Sequence, residues 1–197
     1  RIVTLIRKTF EEKLYCSSLF IDISQAFDKV WHKGLLHKIV CTLPQNTHKL
    51  FRSYLTDRQF VVKFKNIISN SRNFSAGVPQ GSILGPFLYI LYTADMPTNY
   101  HIHTSTFADD TAFLSVHKDP KIASHHLQSH IYILEKWLSK WKIKVNPSKC
   151  AQVTFTLRRG NCQNVTINNS RLILNTLEFT LIDDSLGPNI LNRNPPI

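Results

Sequence analysis

The sequence predicts a fold of mixed helices and strands, α/β or α+β, in one domain or one domain plus part of a second. Three observations carry that prediction. Short apolar runs alternate with segments of helical spacing along most of the chain. One segment, 121–142, has an apolar stripe (Leu127, Ile131, Leu134, Leu138, Trp141) stepping by 4, 3, 4 and 3 residues. Finally, 43% of the 197 residues are hydrophobic, enough for a sizeable core and too many for a disordered chain.

Residues 5–15 predict a short helix through Leu5, Ile6, Phe10 and Leu14. Ser18-Leu-Phe-Ile-Asp-Ile23 reads as a buried strand, apolar except for Asp22. Helical spacing returns over 25–40 through Ala26, Val30, Leu35 and Ile39, with Gly34 expected to break it and Pro44 to end it. Residues 60–64 and 67–75 read as short strands, basic and exposed on one side. Val78-Pro-Gln-Gly-Ser82 signals a turn into an apolar helix that runs to about Asp95 and stops at Pro97. Thr104 to Ser115 reads as strand, tight turn and strand, with Asp109-Asp110 at the turn. After the long helix, Asn146-Pro147 leads to a strand near 152–157. Past Arg158 the pattern weakens, and the Asn- and Pro-rich end is expected to fray.

Several classes are excluded. The longest apolar stretch, 83–92, is about half the roughly 20 residues that a membrane helix needs, so no membrane partner is expected. Cys16, Cys41, Cys150 and Cys162 are scattered and fit neither a zinc knuckle nor a disulfide framework. They suggest a reducing, intracellular compartment, cytoplasm or nucleus. Met96 is the only methionine, so Arg1 is not a translation start and the chain reads as a piece of something longer. The net charge is +11, of which residues 1–75 supply +8 (13 Lys/Arg against 5 Asp/Glu). That excess suggests a polyanionic partner and a salt-sensitive affinity. Charge alone does not separate nucleic acid from acidic lipid, or either from a merely soluble surface.

The chemistry lies in the carboxylates. Asp22 in an apolar strand is costly to bury without a cationic partner. Asp109 and Asp110, adjacent at a hairpin tip, repel one another. A divalent cation relieves both problems if the strand carrying Asp22 lies beside the hairpin, and oxygen-only ligands suit Mg²⁺ or Mn²⁺. Asp-Asp pairs are common turn formers, and Asp183-Asp184 offers a decoy. What singles out the first pair is its surroundings.

Taken in order, Phe20-Ile-Asp-Ile-Ser-Gln-Ala-Phe-Asp-Lys-Val30, Gly77-Val-Pro-Gln-Gly-Ser82, Phe107-Ala-Asp-Asp110 and Asn146-Pro-Ser-Lys149 resemble the palm motifs of reverse transcriptases. The continuation through Val30-Trp-His32 and Gly34-Leu-Leu36 is similar to non-LTR (LINE) retrotransposons, jockey-like ones in particular. The resemblance spans roughly residues 10–157. It implies an α+β, ferredoxin-like palm, an antiparallel sheet backed by helices, with part of the fingers (a hairpin at about 58–76) and no complete thumb. A partial domain at 1–157 would then be followed by a degraded connection at 158–197.

The resemblance also implies roles. Asp22 and Asp109 would bind two Mg²⁺ ions, with Asp110 a lesser ligand and Mn²⁺ an allowed substitute. Asp28 would cap or salt-bridge locally. Phe27 would be a steric gate against a ribose 2′-hydroxyl, with ordinary core packing as its alternative. The amides of Ile23, Ser24 and Gln25 would meet the triphosphate. Gln80 and Gly81 would lie along template and nucleotide, Gly81 because it lacks a Cβ. Lys149 would protonate pyrophosphate, against the alternative of a solvated lysine. RNA template, DNA primer and dNTP are the implied partners, and nothing in the sequence sets the oligomeric state. His126 and His130, four apart on the long helix, read as surface or edge-of-core histidines, and the three tryptophans as core. Basic fingers motifs, an endonuclease and a thumb are absent from the sequence. Two readings follow: an RNA-directed DNA polymerase palm, inactive or nearly so alone, or a non-catalytic nucleic-acid-binding relic.

Overall fold

In the computed structural model of the chain, which describes residues 1–168, 170–171 and 173–178, sixteen elements follow one another. They are α1 (Ile2–Glu11), β1 (Tyr15–Ile21), α2 (His32–Thr42), α3 (Gln45–Leu55), β2 (Gln59–Phe60), β3 (Lys63–Phe64), β4 (Ile67–Ile68) and β5 (Arg72–Asn73). Then come α4 (Leu84–Thr93), β6 (His103–Phe107), β7 (Asp110–His117), α5 (Pro120–Lys140), β8 (Ala151–Thr156), β9 (Thr166–Ile167), β10 (Ser170–Arg171) and β11 (Ile173–Glu178). The main sheet has the order β11-β8-β1-β7-β6, antiparallel throughout except where β11 runs parallel to β8. This is the α+β architecture that the sequence implied.

β1 is central and covered on both faces, which is why its sequence lacks a polar alternation. Leu19 and Ile21 join Phe113 and the α5 residues Leu127, Ile131 and Leu134 in the larger core. Cys16 and Phe20 join Leu114, Phe155 and the α1 residues Leu5, Ile6 and Phe10 on the opposite face. α5 starts where Asp119 accepts a hydrogen bond from the Lys121 amide (2.8 Å) and Pro120 takes the first helical position. No helix among the described residues is long and apolar enough to cross a membrane.

Several expectations need correcting. The helix assigned to 25–40 begins only at His32, because residues 24–29 form turns. Gly34 does not break it: it is buried inside α2, where a Cβ would stand 2.5 Å from the Trp31 ring. Helix α3 was not anticipated, although Pro44 at its start and the buried pair Phe51 and Leu55, four apart, are legible signals. The strands at 60–64 and 67–75 are four two-residue strands, nested as β2–β5 around β3–β4, with every residue from 59 to 73 exposed. Beyond Arg158 the sheet continues: β11 adds a fifth strand. The expected frayed end and Asp183-Asp184 lie outside the described residues.

His130 is a further correction, being neither surface nor edge. It is fully buried 4.8 Å from the Phe113 ring, and neither ring nitrogen has a hydrogen-bond partner among the described residues. Its neighbour on the helix, His126, stacks on His101 at 4.2 Å. Burial lowers the His130 pKa below its ordinary 6.5. The folded state therefore binds this proton less readily than the unfolded chain does. Stability from this group is full above pH 6.5 and declines as pH falls from 6.5 toward the lowered folded value. His130→Leu should raise stability by about 1–2 kcal/mol at neutral pH. It should also flatten the pH dependence of urea unfolding in mildly acidic buffer. Equal slopes in both proteins would refute the assignment.

Candidate active site

Two strand ends meet at one edge of the sheet. β1 ends at Ile21, opposite Thr111 of β7, and Asp22 follows directly. The β6–β7 hairpin closes on Phe107 and Asp110, leaving Ala108 and Asp109 as its two-residue tip, with Ala108 at φ +55°. Asp22 and Asp109 thereby line one open, polar cleft of about 490 Å³, together with Ile23, Ser24, Gln25, Ala26, Phe27, Gln80, Asn146 and Lys149. Both carboxylates are half-buried. Neither makes a hydrogen bond or ion pair with any described group; the two ion pairs among the described residues lie elsewhere.

Asp110 is placed differently. Consecutive residues of a strand face opposite sides of a sheet. Asp110 accordingly shares a separate depression with Ile2, Phe20, Phe107 and Ala112, on the α1 face. No group of three His, Cys, Asp or Glu side chains among the described residues is placed to hold a metal ion. The cleft therefore offers two carboxylates.

The wall opposite the hairpin is built from two loops tied together. The amide of Gly77 donates to the Val30 carbonyl and that of Val78 to the Phe27 carbonyl, both at 2.8 Å. Gly77 has φ +89°, and a Cβ there would lie 2.6 Å from the Asp28 carbonyl, so only glycine allows this approach. Gln80 Nε2 donates to Asp28 Oδ1 (2.8 Å). Asp28 is thus a tie between the two loops rather than a local cap or salt bridge. Gly81, at φ +80°, has nothing within 4 Å of a notional Cβ and stands open beside the cleft rather than in its lining.

The floor is tied to the loop after α5. The Ser24 amide donates to the Lys144 carbonyl (2.9 Å) and the Asn146 amide to the Asp22 carbonyl (3.1 Å). Of the three amides expected to meet a triphosphate, that of Ser24 is therefore engaged within the fold. Those of Ile23 and Gln25 donate to no described group. Asn146 Oδ1 accepts from the Ser148 amide and hydroxyl, a turn that sets Lys149 on the cleft rim. Buried Cys150 donates to the Asn146 carbonyl (3.2 Å); burial, reinforced by the charge of Asp22, pushes its thiol pKa up.

One contributor was not legible in the sequence. Tyr89 of α4 is buried, and its ring centroid lies 4.7 Å from that of Phe27. Burial, and secondly the charge of Asp109, push its phenol pKa up. In the sequence Tyr89 is one apolar-helix residue among ten.

An antiparallel sheet with helices on both faces, and carboxylates from two strand ends in one cleft, is the architecture of a polymerase palm. The family model described as reverse transcriptase (RNA-dependent DNA polymerase) matches residues 2–180, and the chain belongs to that family. It is 39% identical over 181 residues to the RNA-directed DNA polymerase from mobile element jockey of Drosophila melanogaster, covering 88% of this chain and 20% of that protein. It is 43% identical over 164 residues to the probable RNA-directed DNA polymerase from transposon X-element of the same species, covering 81% and 18%. The chain thus spans about a fifth of the length of these relatives. Telomerase from Candida tropicalis, solved in complex with a fragment of telomeric RNA, superposes with a TM-score of 0.62 at 15% identity. The match covers 84% of this chain and 30% of that one. At that identity the likeness concerns the fold.

Proposed function

We propose that this chain is the palm segment of an RNA-directed DNA polymerase of a jockey-like retrotransposon, acting in the cytoplasm or nucleus on an RNA template, a DNA primer and dNTPs. One observation carries the reading: Asp22 and Asp109, 87 positions apart in sequence, line the same cleft, and neither carboxylate has a partner among the described residues. Hard carboxylate oxygens in an open polar site fit Mg²⁺ or Mn²⁺, with triphosphate oxygens completing the coordination. Two such ions, when bound, lower the pKa of the primer hydroxyl and neutralise charge on the leaving pyrophosphate.

In the reaction the primer 3′-oxygen forms a bond to the α-phosphorus and loses its proton to solvent water. The bond from that phosphorus to the bridging oxygen of pyrophosphate breaks in line. Asp22 and Asp109 are the residues that would hold the cations, since both line the cleft. Asp110 would serve as a lesser ligand only if its carboxylate turned into the cleft, since it shares a depression on the other face. The Ile23 and Gln25 amides, unlike that of Ser24, are available to triphosphate oxygens. Lys149, on the rim, donates a proton to the departing pyrophosphate. Gln80, held by Asp28, and the open Gly81 lie along the nascent base pair. Phe27 fills the space that a ribose 2′-hydroxyl would need. The test is primer extension on RNA by a full-length jockey-type polypeptide carrying this chain in place of its matched segment. Absence of any product would sink the reading.

The exposed hairpin favours a second reading, nucleic-acid binding without catalysis. It presents Lys63, Lys65 and Arg72 to solvent between Phe60 and Phe74. If these residues and neighbouring cations meet phosphates, affinity for an RNA–DNA hybrid should fall by roughly 10–100-fold between about 50 and 200 mM salt. A flat salt response in a binding titration would reduce the positive first third to a solubility feature.

A further inference from the structure

Resting on the polymerase reading, we infer that Tyr89 is a positioning residue that backs the Phe27 ring and thereby sets the discrimination between deoxyribo- and ribonucleotides. Phe27 is only partly buried: one side lines the cleft with Asp22 and Asp109, and the other packs against the core. A side chain in that situation excludes a hydroxyl only as firmly as it is held from behind. The ring behind it is Tyr89, at 4.7 Å between centroids and an interplanar angle of 32°.

Tyr89 is itself immobilised. It is 3% exposed, in the middle of α4, with Leu88 and Tyr92 buried on either side of its turn. The backbone beneath Phe27 is fixed as well, since its carbonyl accepts from Val78 in the loop that leads into α4. Gate and backing thus belong to two segments joined by that hydrogen bond. The Tyr89 hydroxyl has no hydrogen-bond partner among the described residues. The ring, not the hydroxyl, is therefore the part that supports Phe27.

The test is insertion kinetics for dNTP and the matching rNTP in the full-length jockey-type polypeptide carrying this chain. Tyr89→Leu should raise rNTP insertion relative to dNTP, as a ratio of kcat/KM values, by about tenfold or more, chiefly through the rNTP KM. Tyr89→Phe, which keeps the ring, should hold that ratio within about twofold of the starting protein, well inside the effect of a lost pocket contact. In a Phe27→Ala background Tyr89→Leu should change the ratio no further, because the residue acts through Phe27. Should Tyr89→Leu fail to fold, Tyr89→Met, which keeps the bulk in pliable form, carries the same expectation. Equal losses for both nucleotides, or effects additive with Phe27→Ala, would overturn the inference while leaving the polymerase reading intact. A starting protein that extends no primer with dNTP overturns both.

Discussion

Asp109→Ala should lower primer extension by the full-length polypeptide by about 10³-fold or more if Asp109 holds a metal as proposed, since losing that site would forfeit several kcal/mol of transition-state stabilisation. The fold should survive the change. Asp109 sits at a two-residue hairpin tip, half-buried, with no side-chain hydrogen bond or ion pair to lose among the described residues. Its thermal unfolding should match that of the unaltered protein, which separates lost chemistry from lost structure. Asp22→Ala should act likewise from the opposite strand. Asp110→Ala should cost less, because its side chain begins on the α1 face of the sheet. If Asp110→Ala matches Asp109→Ala, the tip rotates fully on loading. Asp183→Ala should leave extension unchanged. An Asp109→Ala protein that extends primers normally would remove the two-carboxylate site.

The largest effect on stability should come from Asp95→Ala, at about 2 kcal/mol by chemical denaturation, since Asp95 is half-exposed but the Lys38 it pairs is buried. Lys38 of α2 is buried, its Nζ 2.5 Å from Asp95 Oδ1 and hydrogen-bonded to the Tyr92 carbonyl. The ammonium lies 3.7 Å from the Trp141 ring centre, 5.0 Å from that of Tyr92 and 5.2 Å from that of Trp137. Trp137 Nε1 also donates to Asp95 Oδ1 at 3.0 Å. Removing Asp95 leaves a buried cation with aromatic faces and one carbonyl, and an indole N–H without its acceptor.

Lys38→Met should behave differently, staying within about 1 kcal/mol of the starting protein or exceeding it. Desolvation outweighs Asp95 in setting the lysine pKa, which is lowered, so the charge costs more to bury than its partner returns. The sign for pH follows. Stability is reduced while the lysine is protonated in both states, and it rises with pH from the lowered folded pKa toward the ordinary 10.5. Lys38→Met should abolish that alkaline rise. A Lys38→Met protein as unstable as Asp95→Ala would show that the cation–π cage, rather than avoidance of an unpaired charge, governs this site.

Much of the molecule was legible before any coordinate. β1, the β6–β7 hairpin, α4 and α5 follow from local periodicity and turn chemistry, and their neighbours shifted the ends by two or three residues. Helix α2 departs from its local signals at Gly34, where the Trp31 ring fills the space a Cβ would need, and at its start, which turns at residues 24–29 delay to His32. The burial cost of Asp22 and the paired Asp109-Asp110 point to a cation site in the sequence, and the resemblance to reverse-transcriptase palm motifs adds Phe27, Gln80 and Lys149. Tyr89, His130 and the Lys38 cage have no such signal, since burial by distant segments leaves no periodic trace.

By itself the sequence determined which residues could carry the chemistry and which segments would be strand or helix, because side-chain type and short-range spacing act within a few residues. Only the tertiary structure decided that Asp22 and Asp109 share one cleft while Asp110 turns away, that the Ser24 amide is already engaged, and that Tyr89 stands behind Phe27. Those outcomes depend on strand register and loop closure between residues tens of positions apart, where one step of a strand reverses the face a side chain presents.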